Sequence, residues 1–156
     1  DGKLGLLCAQ VLRLTGARVS AVGKHESKLA LLKKLGIRAL LLPDWKPQLA
    51  DVVVEATGST SGLKMALDLV RPRGTLVLKS TVAQEHALNL APLVINEVTV
   101  IGSRCGLFPP ALEALAQKSV VVTPLIEKIY PLSKGAEAVA HAGRAGALKV
   151  LLRAST

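Results

Sequence analysis

Aromatic residues are almost missing from this chain: one Trp, one Tyr and one Phe among 156 residues. Binding of single-stranded nucleic acid relies on aromatic stacking and clustered cations. The 20 Lys and Arg, set against 11 Asp and Glu, are instead spread along the whole chain. The net charge of +9 is therefore read first as general surface charge and second as attraction for a polyanionic cofactor. Nucleic acid ranks last, and no nucleic-acid partner is expected. Cysteine is scarce too. Cys8 and Cys105 stand in unrelated contexts, which excludes a disulfide framework and a zinc cluster as readings, and a reducing cytoplasm is the expected compartment. No apolar run reaches the roughly 18 residues of a membrane span, and no signal-peptide pattern is visible, so no membrane partner is expected. His25, His86 and His141 are scattered, the last two as expected surface residues, and no Ser/His/Asp grouping suggests hydrolysis.

What is abundant is Leu, Val, Ala and Ile: half the residues are apolar. Short Val/Leu runs alternate with helical patterns. That rhythm predicts an α/β fold with a doubly wound parallel sheet, Rossmann-like, whose strands are covered on both faces. Helices are expected after Gly2, over 24–35, from a cap at Ser59, Thr60 or Ser61 to Pro72, over 91–95, from Pro109, and from a Ser133 cap to about Ala142. Strands are expected at 18–22, 39–42, 51–55, 74–78, 98–102 and 148–152, with 120–122 and 126–130 also extended. The first helix is expected to bury Leu4, Leu7, Cys8, Val11, Leu12 and Thr15; the helix after Pro109 should bury Leu112, Leu115 and Ala116.

Gly2 and Gly5 have the spacing of the last two glycines in a G-x-G-x-x-G turn. One would let backbone approach a pyrophosphate, the other would let helix and strand pack closely, and the helix dipole would face the anion. Gly23 lies 18 residues beyond Gly5, near where an acidic residue would accept hydrogen bonds from the adenosine ribose. Gly23 is followed by Lys24, His25 and Lys28, a pattern that favours the 2′-phosphate of NADP, with NAD still possible and Glu26 an alternative ribose partner. Ala56, Thr57 and Gly58 end one strand and Lys79, Ser80 and Thr81 end another, both at the edge where a parallel sheet opens to ligand.

Taken with Leu69–Lys79, Gly102–Gly106 and Leu148–Leu152, these stretches resemble the cofactor-binding part of the medium-chain dehydrogenase/reductase superfamily, the zinc-dependent alcohol dehydrogenase-like proteins. The resemblance runs over essentially the whole chain. It implies that Lys3 and Leu4 offer N–H groups to the pyrophosphate, and that Gly23, Lys24, His25 and Lys28 surround the ribose. Ala56, Thr57 and Gly58 would line the cleft, while Lys79, Ser80, Thr81, Thr99 and Ile101 would flank the nicotinamide. Lys149 would reach a cofactor phosphate. It also implies residues 1–106 as the dinucleotide-binding domain and 107–156 as a connecting helix and return to a catalytic domain. No catalytic or metal-binding residue is assigned, since the family's zinc ligands lie in an N-terminal domain.

The implied activity is hydride transfer between NADP or NAD and a small alcohol or carbonyl substrate, in the sugar, polyol or threonine dehydrogenase-like branch. The intact protein is expected to be a homodimer or homotetramer, pairing through the 98–102 edge. A zinc-independent quinone-oxidoreductase-like reductase and a non-catalytic nucleotide-binding remnant are the alternatives. A strand is expected ahead of Gly2 and none precedes it, so the chain reads as a fragment that is unstable and inactive alone.

Overall fold

The computed structural model describes residues 1–81 and 87–154; His86 lies outside them. In chain order the elements are α1 (Lys3–Leu14), β1 (Ser20–Gly23), α2 (Glu26–Lys34), β2 (Arg38–Leu41), β3 (Ala50–Glu55), α3 (Thr60–Leu69) and β4 (Val70–Leu78). Then follow α4 (Ala91–Ile95), β5 (Thr99–Gly102), α5 (Phe108–Ala116), β6 (Ile126–Pro131), α6 (Gly135–Ala142) and β7 (Lys149–Arg153). All pairings among the described strands are parallel: β1–β2, β3–β4–β5 and β6–β7. The α/β class with parallel pairing is the one anticipated from the aliphatic runs. The chain divides into two compact units, one made of Asp1–Leu42 with the segment from Leu107 onward, the other of Pro43–Gly106.

The core of the first unit is Leu6, Leu29 and Leu32, all essentially inaccessible, with Ala9, Ile37, Ala39 and Leu125 around them. Leu29 and Leu32 are the expected inward face of α2. In α1 the buried face differs from expectation: Leu6, Ala9 and Gln10 are buried, whereas Leu4 and Val11 are exposed. The segment KLGLLCAQVLRL is apolar on most of its circumference, so periodicity alone selects no face. Contact with α2 and a hydrogen-bonded polar side chain decide it. Gln10 donates Nε2 to the Val121 carbonyl at 3.1 Å and accepts from the Val121 N–H at 2.7 Å, a strand-like pairing made by a side chain. Val122 (φ −107°, ψ −24°) turns into a short 3₁₀ segment, so the Val120–Val122 run is not a strand. Likewise α5 buries none of its residues, and Leu112 and Leu115 are exposed in this chain. Ser133 does not cap α6; it sits in the 3₁₀ turn Leu132–Lys134, and α6 has Lys134 at its N-cap without a side-chain bond.

His141, expected at the surface, is only 9% exposed. Its Nε2 lies 2.8 Å from Glu127 Oε1 and its Nδ1 lies 3.0 Å from the Tyr130 hydroxyl. Glu127 Oε2 also accepts from the Leu148 N–H at 2.6 Å. α6, β6 and the start of β7 are thus joined through one carboxylate. The Leu148 N–H, and next the His141 side chain, hold the Glu127 carboxyl below the usual carboxylate range. A folded-state value below the unfolded one stabilises the fold above the unfolded carboxylate value of about 4.3, and that contribution disappears as pH falls through the folded value. The melting-temperature gap between wild type and Glu127→Gln is therefore expected to be steady near neutrality and to close on acidification. A gap that stays constant down to about pH 3 would contradict this linkage.

In the second unit Leu76, Ala66 and Val70 are buried. Pro72 does not end a helix: α3 stops at Leu69 and β4 runs through the proline. The pairing steps from Ala50↔Val70 to Val52↔Thr75, so the intervening residues form a bulge in which a missing N–H is tolerated. Gly74 is required there. A Cβ would stand 2.8 Å from the Arg71 carbonyl oxygen and 2.9 Å from that of Asp51.

Candidate functional site

One set of site residues lies in the first unit, around the start of α1. Gly2 is the N-cap (φ −77°, ψ 170°), and no side chain caps the helix. The free N–H groups of a first turn are an anion-binding arrangement when nothing else satisfies them. A Cβ at Gly2 or at Gly5 would meet no atom within 4 Å, so the glycines leave open space over those donors. This is the space a pyrophosphate needs, and the residues present fit a dinucleotide on that observation. Lys3 and Leu4 are exposed at this end.

Gly23 ends β1, and the chain passes through Lys24 and His25 into α2. Asp1 Oδ2 accepts from the N–H of Lys24 and of His25, each at 2.6 Å, and lies 2.9 Å from His25 Nδ1. The glycine turn and the end of β1 are thereby tied together. Gly146 stands close by: its built Cβ lies 3.6 Å from Lys28 Nζ and 3.9 Å from His25 Nε2. Lys3 Nζ donates to the Leu148 carbonyl at 3.4 Å, one residue before Lys149. Gly2, Lys3, Gly23, Lys24, His25, Lys28 and the start of Lys149's strand are therefore brought to one corner. Glu26, the alternative ribose partner, pairs with Lys33 at 2.8 Å.

The other set lies in the second unit, at the C-terminal ends of β3, β4 and β5. Glu55 is 3% exposed, and its Oε1 accepts from both the N–H and the hydroxyl of Thr57, each at 2.6 Å. The Gly58 N–H donates to Ser80 Oγ at 2.7 Å, and Gly58 takes φ +71°. Lys79 donates its N–H to the Glu55 carbonyl and its Nζ to Ser103 O and Oγ, both at 3.1 Å. Its charge is spent on bridging β4 to the end of β5. Thr99 and Ile101 pair with Thr75 and Val77, and Thr81 is exposed beyond the strand end. Ala56, Thr57, Gly58, Lys79 and Ser80 are thus joined at one edge.

The sequence reading missed Asp1 and Glu55, whereas Ser59, one of its three candidate caps, does cap α3 by accepting from the Gly62 N–H. Glu55 had a legible signal, a carboxyl closing a β-branched strand with a hydroxyl two residues on. Asp1 had none beyond the lack of an acid at position 23. Among the described residues no group of three His, Cys, Asp or Glu could hold a metal, and zinc does not fit the side chains present. No helix among the described residues is long and apolar enough to cross a membrane.

Parallel strands opening at their C-terminal ends, with a helix entered through glycines that leave its donors bare, define a Rossmann-like α/β domain. Residues 4–119 match the family model described as "Zinc-binding dehydrogenase", and the chain belongs to that family. The sorbitol dehydrogenase of Halalkalibacterium halodurans is 31% identical over 97% of this chain and 49% of its own length. The chain thus spans about half the length of the curated relatives it matches. L-idonate 5-dehydrogenase from Escherichia coli superposes with a TM-score of 0.87 at 24% identity, covering 97% of this chain and 47% of that one. A zinc-binding dehydrogenase from Sinorhizobium meliloti, bound to NADP, superposes with a TM-score of 0.85 at 24% identity over 97% and 49%.

Proposed function

We propose that this chain is the cofactor-binding part of an NAD(P)-dependent oxidoreductase acting on an alcohol or carbonyl group of a sugar or polyol. The observation that carries the reading is the bare start of α1, where Gly2 and Gly5 leave room over donors that no side chain takes. The relatives' names, sorbitol and L-idonate dehydrogenase, support a small polyhydroxy substrate. When bound, the nicotinamide cofactor supplies hydride transfer. The chain's own residues do the binding. The first N–H groups of α1, beginning at Lys3 and Leu4, face the pyrophosphate, with Lys149 as a nearby cation. Lys24, His25 and Lys28 surround the adenosine ribose and favour NADP, with NAD accepted as well. Ala56–Gly58 and Ser80–Thr81 line the cleft, and Thr99 and Ile101 present backbone towards the nicotinamide.

Residues 1–106 are assigned to dinucleotide binding and 107–156 to the connection and return towards a catalytic domain. Zinc ligands, catalytic groups and the substrate pocket belong outside this chain, which is not expected to turn over substrate alone. β5, whose four residues are all exposed, is the edge proposed for pairing subunits into a dimer or tetramer. The compartment proposed is the cytoplasm.

Gly2→Val in the intact protein tests this. The valine side chain would fill the space over α1 and is expected to weaken NADPH binding more than about tenfold, the loss of several charge-assisted bonds. Its Cβ meets nothing in the fold, so the melting temperature without ligand should fall by only a few degrees, the cost of a poorer N-cap residue. Unchanged titration of nicotinamide fluorescence would refute the assignment.

A further inference from the structure

The acid that the end of β1 lacks is present in space, supplied from elsewhere in the chain. Gly23 is buried, and a Cβ built on it would lie 2.6 Å from Asp1 Cβ and 2.7 Å from both Asp1 Cγ and Oδ2. A side chain at position 23 and the side chain of Asp1 therefore exclude one another. The Asp1 side chain is 13% exposed. Three donors fix its Oδ2: the N–H groups of Lys24 and His25, and, in the appropriate tautomer, His25 Nδ1. Among the described residues Oδ1 has no hydrogen-bond partner, so one carboxylate oxygen is immobilised while the other is left as an acceptor. Lys28 Nζ and His25 Nε2 lie on the same corner, against Gly146.

We infer that Asp1 is the ribose-recognising carboxylate of this domain, moved from the strand end to the glycine turn, and that it sets how far the site accepts NAD beside NADP. The inference rests on the dinucleotide-binding reading proposed above. Oδ1 accepts a hydrogen bond from a ribose hydroxyl, which a 2′-phosphate cannot offer. The same carboxylate repels that phosphate, while Lys24 and Lys28 attract it. Preference between the two nucleotides follows from this opposition of one anion and two cations within one corner. A bond to a charged acceptor accounts for about a tenfold change in affinity or more.

Equilibrium titration of the intact protein with NADH and NADPH, followed by nicotinamide fluorescence, is the test. Asp1→Asn keeps the size of the side chain and removes its charge. NADH is expected to weaken about tenfold and NADPH to tighten by a similar factor. The double variant Asp1→Gly/Gly23→Asp removes the Cβ that would stand 2.6 Å from one at position 23, moves the carboxylate to the strand end, into the space Asp1 vacates, and is expected to restore the wild-type ratio. A ratio that moves less than about twofold in Asp1→Asn, with both nucleotides bound, overturns the inference and leaves the dehydrogenase reading standing; Asp1 would then only staple the turn. If Asp1→Asn does not fold, the double variant decides: failure to recover the wild-type ratio overturns the inference. Wild-type protein that binds neither nucleotide refutes the dehydrogenase reading, and the inference falls with it.

Discussion

Leu29→Ala is expected to destabilise the protein by about 3 kcal/mol, the middle of the range for emptying a fully buried leucine site. Leu29 has no measurable exposure and packs in one cluster with Leu6 and Leu32. Its surroundings are aliphatic side chains on α1, α2 and β2, held by regular backbone hydrogen bonding, so collapse into the vacated volume is limited. For a unit of this size the melting temperature should fall by roughly 15 °C. Val139→Ala, at a position 71% exposed, is the control and should shift stability by no more than about 0.5 kcal/mol. Thermal unfolding of the intact protein compares them. Equal effects of the two substitutions would mean that the Leu6–Leu29–Leu32 cluster is not the core of this unit.

Gly62→Ala should destabilise by about 1–3 kcal/mol, although alanine in a helix normally gains up to about 1 kcal/mol over glycine. The reversal comes from Thr57. A Cβ at Gly62 would overlap its Oγ1 and stand 2.7 Å from its Cβ and Cγ2. Thr57 cannot easily yield, because its N–H and hydroxyl satisfy buried Glu55, and an unsatisfied buried carboxyl is costly. Ser59, whose Oγ accepts from the Gly62 N–H at 3.1 Å, holds the start of α3 in the same network. Displacing Thr57 also moves Ala56–Gly58, proposed to line the cofactor cleft, and on that proposal nucleotide affinity should fall by about tenfold, roughly 1.4 kcal/mol of binding. An alanine variant as stable as wild type, with unchanged affinity, would show that this loop repacks freely.

Much of the architecture is local and could be read before any coordinates. The Val and Leu runs, broken by Gly and followed by helical spacings, are short-range features, and they place α4 at Ala91–Ile95 and the strands β2, β3, β5 and β7 within a residue or so. Their apolar content on both faces also implies parallel pairing. The glycine spacing at Gly2 and Gly5 is likewise local, and so are the polar strand ends at Ala56–Gly58 and Lys79–Thr81.

Only the tertiary structure decided which face of α1 is buried, because a helix apolar on nearly every side carries no preferred direction until a partner such as Leu29 is in place. It also decided that Val120–Val122 satisfies its backbone through Gln10 rather than a neighbouring strand, and that His141 is buried between Glu127 and Tyr130. Each depends on contacts between residues far apart in the chain, 111 positions for Gln10 and Val121, and composition does not encode these. Asp1 and Gly23 show the same division. The sequence by itself determined that position 23 lacks an acid. That a carboxylate 22 residues earlier stands in the vacated space follows from the close approach of the glycine turn to the end of β1, and folding alone creates that approach.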